Sequence, residues 1–289
     1  MGTIRVKGTL DPSKTWEFND KLLAQGGMKD VYMSPDRSYV VGFFRSAVDP
    51  AGKDRLNSIV GKYFKGIYES TGSDFWKTRF CWPVDIVVHE GRTGVVAPAY
   101  PNNFFFKFGS IKNDALEIKG KDKEGKWFAS TKVRRMLANE ERGEWKDYLR
   151  ICLNISRAVR RMHAAGLAHS DLSYKNVLVD PTTGEACIID IDGLVVPGRF
   201  PPDVVGTPDF IAPEVLATLN LPLTDSKRKL PNQQTDLHAL AVLTYMYLLF
   251  RHPLKGGKIW DSDPGRDVEL SMGSKALFIE HPQIGRAHV

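Results

Sequence analysis

A stretch of helical periodicity that begins near residue 144 most constrains how this chain can fold. The segment EWKDYLRICLNISRAVRRMHAAG places apolar residues three or four positions apart, at Leu149, Cys152, Ile155, Val159 and Met162. This spacing predicts one long helix, and Gly166 marks its end. The preceding residues follow a different pattern, so the chain is predicted to have two structurally distinct parts.

The first hundred residues consist mainly of short apolar runs separated by turn signals. Residues 20–45 predict two strands joined through a double glycine and then a hairpin, and residues 81–101 predict two strands around the turn EGRTG. Residues 53–69 predict one amphipathic helix, with apolar positions at Leu56, Ile59, Val60, Tyr63, Phe64 and Ile67. This part is therefore expected to be mostly sheet with one helix.

Two further segments carry separate predictions. Residues 102–143 are rich first in aromatic residues and then in lysine, which favours an exposed connection or insertion. The longest apolar run, LHALAVLTYMYLLF at 237–250, has 14 residues. A bilayer crossing needs about 20, so the run predicts a helix buried on all sides of a core.

Composition and charge narrow the functional classes. The 289 residues are 42% hydrophobic and 26% charged, which is typical of a folded chain with room for two lobes. The net charge of +6 suits an anionic ligand, but the basic residues are too dispersed to favour nucleic acid. The three cysteines lack metal-binding spacing, and the N-terminus lacks an apolar signal segment. We therefore expect a cytoplasmic protein with neither nucleic acid nor membrane as a partner.

Three polar residues surround a predicted hairpin at 177–189. Asn176 stands at its start, Asp190 at its end, and Asp171 lies on the loop before it, within HSDLSYKNVLVD. Two carboxylates and an amide suit a hard cation such as Mg²⁺, which retains phosphate oxygens as ligands. Phosphoryl transfer needs such a metal and one carboxylate that orients or deprotonates the attacking hydroxyl.

Four motifs in order resemble those of eukaryotic-type protein kinase domains. HSDLSYKN is similar to the catalytic loop, DIDG stands where the family has DFG, GTPDFIAPE resembles the end of the activation segment, and TDLHALA resembles the start of a central helix. The resemblance covers about residues 20–255. It implies an α+β, bilobal fold, with a small β-rich N-lobe and one main helix at 1–101 and a larger, mainly α C-lobe at 102–289.

The resemblance also implies roles for the polar residues. Asp171 would be the catalytic base, Lys175 would lie near the γ-phosphate of ATP, and Asp236 would anchor the catalytic-loop backbone. Asn176 and Asp190 would hold Mg²⁺, with Mn²⁺ as an alternative. Asp192 would either add a carboxylate near the metal or face solvent.

The remaining ATP contacts are implied in the same way. They are Gly26 and Gly27 beside the phosphates, Val31 over the adenine, Ala97 as a small gatekeeper, Pro98 and Tyr100 in the hinge, and Leu178 beneath the adenine. Glycines let backbone N–H groups approach phosphate closely, although an ordinary hairpin turn also explains the double glycine.

The sequence departs from the family at the phosphate-binding lysine. Gly42 stands at that position on the third strand of the kinase pattern, and the helix at 53–69 offers only Glu69, at its far end, as a glutamate partner. Candidate replacement cations are Arg45, Lys53, Lys62 and Lys65.

A second departure concerns regulation. Ser170 replaces the arginine that reads an activation-loop phosphate in many kinases. Between Asp190 and Glu214 the sequence offers one hydroxyl residue, Thr207 of the GTP motif. We therefore expect a non-RD kinase that is not switched by activation-loop phosphorylation.

The expected function is transfer of the ATP γ-phosphate to serine or threonine hydroxyls of a protein substrate. The alternatives are a pseudokinase scaffold with weak or no nucleotide binding and, third, a small-molecule kinase, because HSDLSYKN also resembles the HGDxxxxN loop of such enzymes. The chain is similar to a divergent bacterial branch, some of whose kinases accompany a metal-dependent protein phosphatase and a von Willebrand A-domain protein in clusters related to tellurium resistance. The C-terminal lobe is expected to be atypical or truncated, and the final IGRAHV to be foreign.

Overall fold

A computed structural model describes residues 2–68, 73–200, 206–222 and 224–283. The chain divides into two compact units, Met1–Pro101 with Ile189–Leu194, and Asn102–Ile188 with Val195–Val289. The sequence prediction assigned residues 189–194 to the C-lobe, but they group with the first unit, where an ion pair described below holds them. Glu69 and the terminal IGRAHV lie outside the described residues.

The first unit is built on antiparallel strands. A two-stranded sheet pairs β1 with β2, and a five-stranded sheet has the order β3-β4-β5-β7-β6. The strands are β1 Thr3–Lys7, β2 Thr15–Asn19, β3 Leu22–Gln25, β4 Lys29–Met33, β5 Tyr39–Phe44, β6 Asp85–His89 and β7 Arg92–Pro98. The predicted strands at 20–45 and 81–101 are confirmed. The β1–β2 hairpin was not predicted, and its Val6 and Phe18 join the buried cluster of Val41, Phe43, Val87 and Val96.

The predicted helix of the first unit is confirmed through Tyr68. It consists of α1 Pro50–Asn57, a π-helical segment Ser58–Tyr63 and α2 Phe64–Tyr68, and a short helix α3 Ser73–Lys77 follows. The helix begins three residues earlier than predicted because the Asp49 carboxylate accepts a hydrogen bond from the Gly52 N–H at 2.7 Å.

The second unit contains the predicted long helix and hairpin. The long helix is α6 Trp145–Ala164, and the hairpin pairs β8 Val177–Asp180 with β9 Glu185–Ile188. The other helices are α4 Ile111–Asp114, α5 Thr131–Met136, α7 Pro213–Leu216, α8 Gln233–Leu249 and α9 Pro264–Met272. Short 3-10 turns lie at Asn102–Phe104, Gly125–Trp127, Asn139–Glu141, Ile191–Gly193 and Pro208–Phe210.

Helix α8 corrects one prediction. It was expected to be buried on all sides, but Leu237 is 53% exposed and Leu249 is 48% exposed. Val242 and Leu243 of α8 are buried. Helix α8 packs against α6 within the second unit. Leu149, counted above among the apolar positions of α6, is likewise 42% exposed. Among the described helices, none combines the length and apolar composition that a membrane crossing requires.

The segment 102–143 corrects another prediction in part, because several of its residues are buried although many others are exposed. Phe106 and Phe128 stack at 5.8 Å between ring centroids, and neither is more than 2% exposed. The Nζ atom of Lys123 lies 3.1 Å from both Glu141 Oε2 and Asp180 Oδ1. This buried trio ties the segment to the end of β8. Burial would raise the pKa of the Asp180 carboxyl, but hydrogen bonds from Thr182 and the charge of Lys123 outweigh it and lower the pKa.

Candidate active site

The loop before β8 is fixed through its backbone by Asp236 on α8. The N–H of His169 donates to Asp236 Oδ2 at 2.7 Å, and the N–H of Ser170 donates to Oδ1 at 3.0 Å. The Nε2 atom of His163 lies 3.0 Å from Oδ2. Asp236 is 2% exposed, so these contacts compensate a buried carboxylate. The predicted anchoring of the loop by Asp236 is confirmed.

The carboxylate of Asp171 is oriented by three donors. Its Oδ1 accepts hydrogen bonds from the N–H of Thr207 at 2.7 Å and from the Thr207 hydroxyl at 2.8 Å. Its Oδ2 accepts one from Asn176 Nδ2 at 2.9 Å. The structure therefore brings Asp171 and Asn176 together, as predicted. It adds Thr207, the hydroxyl residue of the GTP motif, for which the sequence predicts no role in the site.

The backbone around Asp171 is held in unusual conformations. Ser170 has φ +65°, in the left-handed region, which costs of order 1–3 kcal/mol for such a residue and is retained where surrounding contacts impose it. Gly206 has φ +117°, and a Cβ there would lie 3.1 Å from the Ser170 carbonyl oxygen. A side chain at position 206 would therefore be strained and crowded, so Gly206 permits the approach of Thr207 to Asp171.

The other predicted residues of the second unit occupy different environments. Leu178 lies on β8 opposite Cys187 and is fully buried. Lys175 is exposed. Asn176 also donates through Nδ2 to the Asp171 carbonyl oxygen at 2.8 Å. Both of these side-chain hydrogen bonds use Nδ2, so the side-chain oxygen is not committed to them.

In the first unit, Asp190 and Asp192 share a lysine. The Nζ atom of Lys29 on β4 lies 2.7 Å from both carboxylate oxygens of Asp192 and 3.2 Å from Asp190 Oδ1. Burial lowers the pKa of Lys29, but the charges of Asp192 and Asp190 outweigh it, and the net shift is upward. Lys29 is therefore held as a cation. Asp190 has φ +61°, a second left-handed residue in a polar cluster.

Lys29 was not among the predicted replacement cations. Those four residues, Arg45, Lys53, Lys62 and Lys65, are exposed. A signal was nevertheless present, because Lys29 lies on the strand that pairs with the strand of Gly42. A Cβ built on Gly42 would lie 3.5 Å from Lys29 Cδ, so the lysine stem runs beside the glycine.

The remaining predicted ATP contacts lie in the first unit. Gly26 and Gly27 form the exposed connection between β3 and β4, and the N–H of Gly26 donates to the Lys29 carbonyl at 2.8 Å. Val31 on β4 pairs with Gly42, Ala97 and Pro98 end β7, and Tyr100 follows. The Sγ atom of Cys81 donates to the Pro98 carbonyl at 3.2 Å, and burial raises the pKa of this thiol to about 12.

The donor chemistry fits a hard divalent cation, although the described residues contain no group of three or more His, Cys, Asp and Glu side chains able to hold a metal by themselves. In the first unit, Asp190 keeps 46% of its side chain exposed. In the second unit, the two side-chain hydrogen bonds of Asn176 described above do not use its amide oxygen. Oxygen donors in small number suit Mg²⁺, which completes its coordination with water and phosphate oxygens.

The family comparison covers the Asp171 loop and Asp190, but not Lys29. Residues 126–267 match the protein kinase domain model, and this range includes Asp171, Asn176, Asp190 and Asp236. A solved structure of a rhoptry antigen kinase domain from Toxoplasma gondii covers 93% of this chain and 78% of its own, with a TM-score of 0.54 and 14% identity. The chain has a protein kinase fold. A protein kinase domain implies ATP and a divalent metal ion, generally Mg²⁺.

Curated proteins to which segments of this chain are similar are named as protein kinases. Serine/threonine-protein kinase H1 from Homo sapiens is 30% identical over 142 residues, which are 43% of this chain and 31% of the relative. Calcium-dependent protein kinase SK5 from Glycine max is 30% identical over 167 residues, 52% of this chain and 30% of the relative. The matched segments thus span less than a third of these relatives. The matched segments of this chain are similar to proteins named as serine/threonine-protein kinase and calcium-dependent protein kinase.

Proposed function

We propose that this chain is a protein kinase that transfers the γ-phosphate of ATP to serine or threonine hydroxyls of a protein substrate. The observation that carries the proposal is the Asp171 carboxylate, oriented by Thr207 and Asn176 within the segment that matches the kinase family. An oriented carboxylate on a loop of this kind can align a hydroxyl and accept its proton.

The proposed reaction forms one bond and breaks one. The substrate oxygen attacks the γ-phosphorus, the bond between the γ-phosphorus and the bridging oxygen of the β-phosphate breaks, and ADP leaves. The hydroxyl proton passes to a carboxylate oxygen of Asp171. The bound divalent metal would offset the developing charge. Asn176 and Asp190 are the residues we propose to hold it, with Mg²⁺ or Mn²⁺, and Lys175 is proposed to lie near the γ-phosphate.

The ATP contacts remain as proposed from the sequence. Gly26 and Gly27 would face the phosphates, Val31 and Leu178 would enclose the adenine, and Ala97, Pro98 and Tyr100 would form the gatekeeper and hinge. The Cys81 hydrogen bond to the Pro98 carbonyl uses a weak donor, which nucleotide can replace there.

The direct test is phosphoryl transfer from ATP with Mg²⁺ or Mn²⁺ to degenerate peptides whose acceptor is serine, threonine or tyrosine. We expect transfer to serine and threonine. Transfer to a small-molecule hydroxyl instead would favour the small-molecule kinase. That alternative ranks last because the GTPDFIAPE segment resembles the end of a protein kinase activation segment.

Thr207 provides a prediction for this site. Replacing Thr207 with Val removes the hydroxyl that donates to Asp171 and should lower kcat about 10-fold to 100-fold, because a hydrogen bond to a charged group contributes about 1.5–3 kcal/mol. Thr207→Ser keeps the hydroxyl and should retain most activity. Equal kcat values for the Val and Ser variants would contradict a role for the hydroxyl in orienting Asp171.

A pseudokinase is the second candidate, favoured by Gly42 and by the engagement of Asp190 with Lys29. Nucleotide binding distinguishes the two through thermal unfolding, because a ligand at 100 times its Kd stabilises the folded state by about 2.7 kcal/mol. We expect ADP to raise Tm. A Tm that does not respond to millimolar nucleotide, together with no transfer, would establish the pseudokinase.

Regulation and partners belong to the same proposal. Ser170 stands at the position of the arginine with which many kinases read an activation-loop phosphate, and its side chain carries no charge to pair with a phosphate. We propose a non-RD kinase of the divergent bacterial branch, cytoplasmic, independent of activation-loop phosphorylation, and working with a metal-dependent phosphatase and a von Willebrand A-domain protein. Neither nucleic acid nor membrane is proposed as a partner.

A further inference from the structure

We propose that Lys29 and Asp192 form the ion pair that holds the α- and β-phosphates of ATP, in place of a strand lysine paired with a helix glutamate. Lys29 would contact the phosphates, and Asp192 would position Lys29. The inference rests on the proposed function, since it assigns residues to the nucleotide of the same kinase.

The geometry of the pair carries the first step. The Nζ atom of Lys29 is 2.7 Å from each oxygen of Asp192, so the carboxylate grips the ammonium with both oxygens. The side chains of Lys29 and Asp192 are only 18% and 9% exposed. Removing charges from water is costly, so a nearly buried pair needs close mutual compensation. This pair is a fixed, charged arrangement, unlike the exposed Lys53 or Lys62.

Gly42 carries the second step. Its strand neighbour in the register is Val31, and its missing Cβ would meet the Lys29 stem at 3.5 Å. The Nζ atom of Lys29 also lies 5.5 Å from the Phe44 ring centroid, which favours a cation there. A lysine side chain at position 42 would start beside the stem of Lys29 and compete for the same space. The glycine at position 42 therefore leaves room for the side chain of Lys29 on the neighbouring strand.

Asp192 and Asp190 are proposed to have different roles. Asp192 commits both oxygens to Lys29, whereas Asp190 keeps 46% of its side chain exposed and has one oxygen at the longer distance of 3.2 Å. We therefore assign Asp192 to Lys29 rather than to the metal, and leave Asp190 for the metal. Asp192 was predicted either to lie near the metal or to face solvent. Its side chain is only 9% exposed, so the prediction that it faces solvent is wrong.

The first experiment compares nucleotides that differ only in their phosphates. In Lys29→Met we expect the affinity for ADP to fall about 10-fold to 100-fold while adenosine affinity stays unchanged, because the lost contacts are charged and reach only phosphate. Isothermal titration measures both without requiring catalysis. Lys21→Met is the matched control, because Lys21 is an exposed lysine next to β3, and it should bind ADP like the wild type.

The second experiment moves the lysine. Lys29→Met/Gly42→Lys places an ammonium on the neighbouring strand, beside the vacated stem, and should recover at least about tenfold of the lost ADP affinity. Lys29→Met/Asp192→Asn removes both charges and leaves no buried charge uncompensated. It should therefore stay folded and show the same ADP defect, which separates phosphate binding from stability.

A third experiment separates the two possible roles of Asp192. In Asp192→Asn we expect ADP affinity to fall about 3-fold to 10-fold both with Mg²⁺ and with EDTA, because the defect lies in the orientation of Lys29. A defect that disappears in EDTA would assign Asp192 to the metal and overturn its positioning role.

Failure of the inference and failure of the proposed function give different results. If wild type binds ADP but Lys29→Met binds it equally well, or if the defect appears in Lys53→Met or Lys62→Met instead, Lys29 is not the phosphate cation and the kinase proposal is unaffected. If wild type binds neither ADP nor adenosine, the kinase proposal and this inference both fail.

Discussion

Asp171→Asn is expected to lower kcat about 10²-fold to 10⁴-fold, the usual contribution of a positioned general acid or base. The amide retains the shape of the carboxylate but cannot accept the proton of the attacking hydroxyl. Thr207 and Asn176 would still surround the side chain, so ATP affinity should change little. The measurement is steady-state phosphorylation of a serine peptide, with nucleotide affinity determined in parallel.

The matched control for Asp171→Asn is Glu140→Gln, which makes the same carboxylate-to-amide change at an exposed position of the second unit. It should leave kcat within about twofold, since surface substitutions have small effects. If Asp171→Asn were as active as the control, Asp171 would not act as the base, and the proposed chemistry would need another carboxylate.

The largest expected effect on stability is that of Lys123→Met. Lys123, Glu141 and Asp180 have side chains that are 5%, 1% and 2% exposed, and one ammonium compensates both carboxylates. Removing one partner of a buried ion pair costs about 3–5 kcal/mol, because the remaining charge is left uncompensated. We expect a fall of this size in the free energy of unfolding in urea at pH 7, together with a lower Tm.

Lys126→Met supplies the comparison for Lys123→Met, because Lys126 is 42% exposed and pairs with Glu124. Exposed ion pairs contribute about 0–1 kcal/mol, so this variant should unfold nearly as the wild type does. A loss below about 1 kcal/mol in Lys123→Met would show that the trio is not compensating buried charge.

The pH dependence of unfolding provides a separate check on Asp180. Its pKa is lowered in the folded state, so its contribution to stability is fully present above its unfolded pKa of about 3.9 and is lost as the pH falls through the lower folded value. We expect the free energy of unfolding of the wild type to fall in this acidic range. The difference in free energy of unfolding between the wild type and Lys123→Met should become smaller there. Urea unfolding from pH 7 down to pH 3 measures both curves.

The polar loops were predictable because each is a short, local pattern. Asp171 and Asn176 are five positions apart on one loop, and the contact between them follows from the loop itself. The anchor Asp236 came from the resemblance, because nothing local links it to a loop 66 positions earlier.

Lys29 was missed for a related reason. Its partners lie 161 and 163 positions later, and no sequence pattern links such distant residues. The candidates chosen from sequence were the cations nearest to Gly42 on its own strand and the following helix. The cation beside Gly42 is instead Lys29, which lies on the adjacent strand β4. The register of the two strands pairs Val31 of β4 with Gly42 of β5.

The predictions of burial for residues 102–143 and for α8 were wrong in part, because composition does not show which segments pack against a residue in the folded chain. Lysines in 102–143 suggested exposure, yet Lys123 finds two carboxylates from other segments and is buried. The apolar run of α8 suggested burial on every side, yet a run of apolar residues does not state how many faces have neighbours. Leu237 and Leu249 are only about half covered, at 53% and 48% exposed.

The protonated thiol of Cys81 has a consequence for chemical labelling. A thiolate is the reactive form of cysteine, and a pKa of about 12 leaves only a minute fraction of Cys81 ionised at neutral pH. Cys152 is similar, since burial raises its pKa to about 11. Alkylating reagents should therefore modify the folded protein slowly at these two cysteines, and the rate of modification would report unfolding rather than surface reactivity.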